Sequence, residues 1–334
     1  MPGTIYWIDH YTIPTNDLER SIEFHERVLG AETMPDSGLP RERGVFQAFS
    51  HPELLLRGGD CHHGLFVMRE ALPPAQELGA GYPRHALFIR PADIGAHLQR
   101  LDANGATRSD PVRTSAEGED GTAIYWLDPD GNQFEFWAPA RMPAGAMDHA
   151  SKFGVGRISH ITYASRDLQR TAEFFARYCG LVPLRSAEIA ADTLVLPLAT
   201  AGRLVFKSAV EPGLRASGRG VFSDCHTALL VSEADFWPSY ERLWAELPEW
   251  PFDAEQRKFT GEGSQLPART LLHGSPNGIR FHKAFGRGDD WIDPDANLFH
   301  FVGGIPQGRS MTSYDRFFLD DLMDEYLATH RASA

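Results

Sequence analysis

The chain has 334 residues, of which 42% are hydrophobic and 23% are charged, and its net charge at pH 7 is −13. A domain holds roughly 150 residues, so this length predicts two domains, and the hydrophobic fraction excludes a disordered chain. The acidic balance argues against nucleic acid or a membrane surface as the main partner, and no apolar run approaches the roughly 20 residues of a membrane helix. The N-terminal segment lacks the pattern of a secretory signal, and three cysteines without a C-x-x-C pair indicate no disulfide framework, so we expect a cytoplasmic protein.

The first predicted elements are a strand, a helix and three further strands. Apolar residues alternate on both sides of His10, which predicts a strand there. Asn16 or Asp17 caps the helix that follows, and Gly30 ends it. The shorter strands are predicted at 44–49, 53–56 and 64–68. The same order recurs from His85, with a helix over 92–104 and strands at 122–127 and 133–137.

The second half of the chain repeats the first. Residues 10–30 and 160–180 are identical at nine of 21 positions, at an offset of 150, and DPDGN at 128–132 matches DPDAN at 293–297 at an offset of 165. The difference of 15 residues predicts an insertion in the second half, near 245–290. We therefore predict four similar units near 4–70, 82–140, 155–210 and 222–303.

The repeat also predicts the domain organisation. Residues 1–145 and 146–310 would form two related domains of an α+β protein. Residues 311–334 would add a helical tail with one apolar face, packed on the body or on a second copy.

Four βαβββ units with a histidine on the first strand and a DPDGNQFEFW ending resemble the vicinal oxygen chelate superfamily of glyoxalases, bleomycin resistance proteins and extradiol dioxygenases. The resemblance implies that each pair of units curls into a cup-shaped sheet with a metal inside. Mapped onto this chain, its ligand positions are His10, His85 and Glu135. Two imidazoles and one carboxylate form the facial triad of non-haem Fe(II) oxygenases, and a carboxylate inside a cup needs a metal or another partner.

Within the superfamily, the first half resembles the catalytic domain of type I extradiol dioxygenases. That family places its second metal histidine and its glutamate 50 residues apart, as His85 and Glu135 are here. It has a tyrosine ten residues before the glutamate, as Tyr125 is, and a His–His pair that matches His62–His63. The resemblance implies that His63 is the acid/base and that Tyr125 hydrogen-bonds the substrate.

The chain departs from that family in two respects. The family has a further active-site histidine nine residues before the tyrosine, and this chain has Ala116 at that position. The family also works through its second half, which here offers a three-histidine set, either a metal site or a degenerate one: His160, His226 and His300. Two more histidines, His273 and His282, lie in the insertion and are expected to be loop residues.

The pairing of the units leaves one ligand open. If unit one pairs with unit two, His10 joins His85 and Glu135, whereas pairing of unit two with unit three brings His160 instead. The match of His63 favours the first arrangement, and therefore His10.

The sequence thus predicts an Fe(II)-dependent extradiol-type dioxygenase, with Mn(II) as another possible metal. Its partners would be a small aromatic vicinal diol and O₂, and we expect a homo-oligomer that binds neither nucleic acid nor membrane. One alternative is a glyoxalase-like isomerase or lyase, although such relatives often place a carboxylate ligand near the position of Cys61. Another is a non-enzymatic binding protein, but such proteins typically lose the metal ligands.

Overall fold

Two curled β-sheets and three helices make up most of the part of the chain that this computed structural model describes. The described residues are 5–33, 41–42, 44–48, 62–68, 71–72, 74–115, 118–148, 150–200, 202–209, 225–231, 242–243, 245–247, 252–253, 258–259, 268–270, 290–295 and 297–303. The predicted strand at 53–56, the tail from 311, and His273 and His282 lie outside them. No helix within the described ranges is long and apolar enough to cross a bilayer.

Within the described residues, the helices and strands follow the predicted order of the units. In chain order they are β1 Ile5–Thr15, α1 Leu18–Val28, β2 Glu32–Thr33, β3 Gly44–Ala48, β4 His62–Val67, β5 Arg84–Ile89, α2 Ile94–Ala103, β6 Val112–Thr114, β7 Gly121–Leu127, β8 Gln133–Pro139, β9 Val155–Ser165, α3 Leu168–Cys179, β10 Thr193–Pro197, β11 Arg203–Ser208, β12 Thr227–Val231, β13 Phe252–Asp253, β14 Lys258–Phe259, β15 Ala268–Thr270, β16 Asp290–Ile292 and β17 Leu298–Gly303. The predicted α+β class is confirmed.

The helices that follow β1 and β9 are capped by the residues that the sequence indicates. The side chain of Asp17 accepts a hydrogen bond from the backbone N–H of Arg20 at the start of α1, and Asp167 does the same for two N–H groups of α3. Gly180 ends α3 with a φ of 67°, a left-handed conformation that a glycine adopts without strain. These caps place α1 and α3 equivalently after β1 and β9.

The strand order shows which units share a sheet. The first sheet has the order β15-β16-β17-β12-β1-β4-β3-β2, and the second has the order β10-β11-β9-β5-β8-β7-β6. Unit one therefore pairs with unit four through antiparallel β1 and β12, and unit two pairs with unit three through antiparallel β5 and β9. The prediction that neighbouring units one and two share a cup is wrong.

The register makes the two sheets equivalent around their central strand pairs. In the first sheet Ala228 lies opposite both His10 and His300. In the second sheet Ala86 lies opposite both His160 and Glu135. Side chains alternate between the faces of a strand, so each alanine marks the face that its two partners share. We call these faces cup A (first sheet) and cup B (second sheet).

The opposite faces of both sheets build the main core. Its largest fully buried side chains include Trp126, Phe134 and Phe136 from β7 and β8, and Phe175 and Phe206 from α3 and β11. Close-packed aromatic rings on this side hold the helices against the sheets.

Candidate functional site

Cup A collects four buried histidines from four chain segments. They lie on β1, at the start of β4, immediately before β12 and on β17, and none is more than 4% exposed: His10, His62, His226 and His300. Imidazoles buried together in this way are polar groups removed from water, which is costly unless they hydrogen-bond or bind a metal.

Three of these histidines point their nitrogens at one another. His10 Nε2 lies 3.2 Å from His226 Nε2, and the His226 and His300 rings are 4.4 Å apart between centroids. One nitrogen from each of the three falls within 4.8 Å of the others. Two imidazole nitrogens that each lie about 2.1 Å from an ion are about 3.0 to 3.4 Å apart in octahedral or tetrahedral geometry. The His10–His226 distance falls in this range, and the nitrogen of His300 lies within 4.8 Å of both, so the three donors are close enough to converge on one transition-metal ion.

Asp9 and His62 flank this cluster on the other side of His10. Asp9 Oδ2 lies 2.7 Å from His10 Nδ1, and the His62 ring stacks on the His10 ring at 4.6 Å. Asp9, His10 and His62 form a second donor group within 4.8 Å, which shares His10 with the first. Because Asp9 contacts the opposite nitrogen of the His10 ring, His10 Nε2 stays directed at His226.

Thr12 and two phenylalanines complete the described wall of cup A. The Thr12 hydroxyl accepts a hydrogen bond of 2.7 Å from the backbone N–H of His226, which ties β1 to the start of β12. Phe46 and Phe66 pack edge-to-face at 6.0 Å, and Phe46 also contacts the His10 ring at 5.7 Å. The histidine cluster thus has an aromatic wall on one side.

Cup B holds an ion pair at the equivalent place. Arg84 Nε donates to Glu135 Oε2 at 2.9 Å, and the same arginine donates to the carbonyl oxygen of Gly79 at 2.7 Å. His160 Nε2 lies 3.6 Å from the same Glu135 oxygen. Arg84 and Glu135 are 4% and 2% exposed. Burial alone would raise the pKa of Glu135, but His160 and Arg84 together lower it to about 2.

The ion pair means that cup B does not fit a metal. Arg84 stands two residues before Ala86, as His226 stands two residues before Ala228, so the guanidinium takes the place of a metal ligand. It is also a cation, and it already neutralises the Glu135 carboxylate. A divalent ion bound there would have to displace or repel it.

A cavity of about 150 Å³ opens beside the ion pair, and it contains one of the predicted site residues. Tyr125 lines it together with Arg84 and Glu135, and the Arg84 guanidinium lies 4.9 Å from the centre of the Tyr125 ring. Tyr125 is thus close to Glu135, as the sequence predicts, but in cup B rather than beside His10.

His85 and His63 point away from the cups, into the core. His85 stacks on Tyr11 at 4.1 Å, and burial lowers its pKa to about 3. His63 Nε2–H donates to Gln47 Oε1 at 3.0 Å, and burial and the neighbouring histidines hold its pKa well below the ordinary value. Alternation explains both, because His62 and Arg84 occupy the cup-facing positions next to them.

The structure therefore does not bring together His10, His85 and Glu135, which we predicted as one metal set. His10 lies in cup A, Glu135 in cup B, and His85 on the core side of β5. The alternative set of His160, His226 and His300 is also divided, since His160 lies in cup B. His10, His226 and His300 meet because β1 pairs with β12 and β12 pairs with β17.

Asp9 and Arg84 are charged residues of the cups that the sequence analysis did not single out. Both directly precede a histidine that the sequence had singled out, so an adjacent charged residue was the available signal. Asp9 shares the surroundings of His10 because an irregularity of register falls between Ile8 and His10.

Comparison with known proteins agrees with this architecture. Residues 7–136 match the model of the Glyoxalase/Bleomycin resistance protein/Dioxygenase superfamily, which agrees with the resemblance predicted from the sequence. A Bacillus subtilis subsp. subtilis str. 168 protein, provisionally named a dioxygenase, is 12% identical and superposes with a TM-score of 0.58 over 99% of this chain and 96% of its own. Glyoxalase I from Zea mays is 15% identical, with a TM-score of 0.55 over 95% of this chain and 96% of its own. At these identities the two structures show a shared fold.

Proposed function

We propose that the chain is a metal-dependent enzyme whose centre is formed by His10, His226 and His300, and that it is an Fe(II)-dependent extradiol-type dioxygenase. The observation that supports this proposal is the convergence of three buried imidazoles within 4.8 Å. The match of residues 7–136 to the superfamily model also supports the metal, since that superfamily includes glyoxalases and dioxygenases.

The donor set is suited to catalysis. Imidazole is a good ligand for iron, zinc, nickel and copper, and a site with three protein ligands leaves positions open for substrate. A bound Fe(II) would favour ionisation of a chelating diol and supply the redox chemistry that reaction with O₂ requires. Three neutral imidazoles leave the positive charge of the ion largely uncompensated, which favours a substrate that binds as an anion.

The remaining residues of cup A suit an aromatic diol. The Phe46 and Phe66 rings offer an apolar face to a substrate ring, while the histidine cluster receives its hydroxyl oxygens. His62 stacks on His10 at 4.6 Å and is placed to accept a proton from a substrate hydroxyl. In this proposal His62 takes the acid/base role that the sequence assigns to His63, because His63 lies on the opposite face.

The second candidate is a non-redox isomerase or lyase of the same fold. The similarity in fold to glyoxalase I favours it, as does an all-imidazole donor set, which suits zinc or nickel as well as iron. The two candidates differ in a measurable way, since only the dioxygenase consumes O₂.

The experiment begins with anaerobic purification and metal analysis, followed by a panel of catechols with an oxygen electrode and detection of the yellow ring-cleavage product. We expect about one iron per chain and O₂ uptake with at least one diol. His10→Ala should lower metal affinity by roughly 100-fold or more, whereas His160→Ala, the equivalent change in cup B, should leave the metal in place.

Two outcomes would contradict the proposal. A wild-type chain that takes up no iron, and no O₂ with any diol, would exclude the dioxygenase. Loss of metal in His160→Ala but not in His10→Ala, with both variants folded by circular dichroism, would place the centre in cup B.

A further inference from the structure

We propose that Asp9 is a positioning residue, which orients His10 for metal binding and supplies from behind the ligand the negative charge that the three-histidine set lacks. This inference rests on the function proposed above, because it concerns the metal centre of cup A. It assigns a role to a residue that is not itself one of the three ligands.

The geometry around His10 supports the orienting role. Asp9 Oδ2 lies 2.7 Å from Nδ1, and the two residues are 1% and 0% exposed. An ionised carboxylate only accepts hydrogen bonds, so Nδ1–H donates to Asp9 and the lone pair of the ring lies on Nε2, the atom that faces His226 at 3.2 Å. Asp9 therefore selects the tautomer that binds a metal in the cluster of His10, His226 and His300.

Cup B offers a comparison, because it has a different residue directly before its first-strand histidine and does not fit a metal. There, Ser159 precedes His160 as Asp9 precedes His10, and its hydroxyl lies 3.1 Å from His160 Nδ1. The carboxylate of cup B is Glu135, at the place that His300 takes in cup A. Among the described residues, the carboxylate that contacts the first-strand histidine thus lies behind the imidazole in cup A, at Nδ1 of His10, and near Nε2 of His160 in cup B.

Charge counting gives the reason for the difference. A divalent ion with three neutral imidazoles has a charge of +2, and Asp9 brings the buried group to +1. Two imidazoles and one carboxylate around the same ion also total +1. A carboxylate behind a ligating histidine both fixes the ring and makes it a stronger donor, and such partners are worth 10- to 100-fold in metal affinity.

The test measures metal affinity rather than turnover. Co(II) is titrated into the metal-free chain against a competing chelator, and its visible absorption bands report the coordination. Asp9→Ala should weaken Co(II) binding by roughly 10- to 100-fold. Asp9→Asn keeps an acceptor oxygen but loses the charge, so its affinity should fall in between. Ser159→Ala, the matched change in cup B, should leave Co(II) binding unchanged.

The outcomes separate this inference from the proposed function. If the wild type binds Co(II) and Asp9→Ala and Asp9→Asn bind it equally well with the same spectrum, the role of Asp9 is refuted while the metal centre stands. If the wild type binds no metal, the proposed function itself fails.

Two further variants keep the test decisive. Should Asp9→Ala fail to fold, Asp9→Ser replaces it, since a serine already occupies the equivalent position of cup B. If His62→Ala abolishes Co(II) binding while His300→Ala does not, the ion lies between Asp9, His10 and His62. Asp9 would then be a ligand, and the positioning role would be overturned.

Discussion

Replacing Glu135 by leucine should destabilise the fold without removing the metal. The substitution leaves the Arg84 guanidinium, which is 4% exposed, without the carboxylate that it contacts at 2.9 Å. Breaking one partner of a buried ion pair costs about 3 to 5 kcal/mol. The lowered pKa of Glu135 points in the same direction, because His160 and Arg84 favour the ionised carboxylate in the folded chain.

The matched control removes both charges. Arg84→Met with Glu135→Leu replaces the ion pair by apolar side chains, a change that is often neutral or stabilising in a protein interior. We therefore expect the single variant to lose about 3 kcal/mol in urea unfolding at pH 7 and the double variant to lie within about 1 kcal/mol of the wild type.

The pH dependence has a definite sign. The folded pKa of Glu135 lies below its ordinary value, so the stabilisation is complete above pH 4.5 and is lost as the pH falls towards 2. As the pH falls from 4.5 towards 2, the wild type should therefore lose more unfolding free energy than the double variant, which lacks the carboxylate.

The metal content of the same proteins tests whether the metal centre lies in cup A or in cup B. Both variants should keep the metal of cup A. A Glu135→Leu protein that lost its metal yet unfolded at the urea concentration of the wild type would refute the reasoning, because Glu135 would then be a ligand rather than the partner of Arg84.

Two further predictions concern Arg84 and His85, whose side chains lie on opposite faces of β5. Arg84→His should raise the metal stoichiometry from one to two per chain, measured by metal analysis, because it places an imidazole next to Glu135 and His160; an unchanged stoichiometry would contradict the equivalence of Arg84 and His226. His85→Phe should keep the metal and make the fold less sensitive to acid. The pKa of His85 is about 3 in the folded chain and 6.5 ordinarily, so between these values the unfolded state binds more protons and the wild type loses stability as the pH is lowered. At pH 5 the variant should be favoured by about 2 kcal/mol relative to its effect at pH 7, and equal pH profiles in urea unfolding would contradict the burial of a neutral His85.

The fold was largely predictable because its evidence is local and repeated. Four related units, and their resemblance to a known superfamily, are identified by capping residues, by strand alternation and by two matches at fixed offsets. Each unit consists of contiguous residues, so these signals are local. Asp17 at the start of α1 and the glycine at position 180 are examples. All three proposed ligands of cup A, His10, His226 and His300, were also among the candidates, because they lie at family positions in first and last strands, but the sequence divided them between two sets.

The pairing of the units was not predictable in the same way. The first strands of all four units carry similar apolar alternation, so each offers the same kind of edge to any of the others. The choice between partners depends on contacts more than 200 residues apart, such as the hydrogen bond between His226 and Thr12. A single sequence contains no signal for such contacts, and the resemblance to tandem dioxygenases favoured the wrong one.

The wrong placement of His85 in the predicted metal set comes from an alignment error of one residue between two strands. The segments HALFIRP and HTALLVS suggest that His85 corresponds to His226, an offset of 141. The sheets instead make Ala86 correspond to Ala228, an offset of 142, so that Arg84 corresponds to His226. A shift of one residue moves a side chain to the other face of a strand, and the spacing of 50 between His85 and Glu135 therefore joined a core residue to a cup residue. The same shift explains why one cup has a third imidazole where the other has a guanidinium. The proposed difference in metal binding between the cups thus follows from whether a histidine or an arginine stands two positions before the alanine.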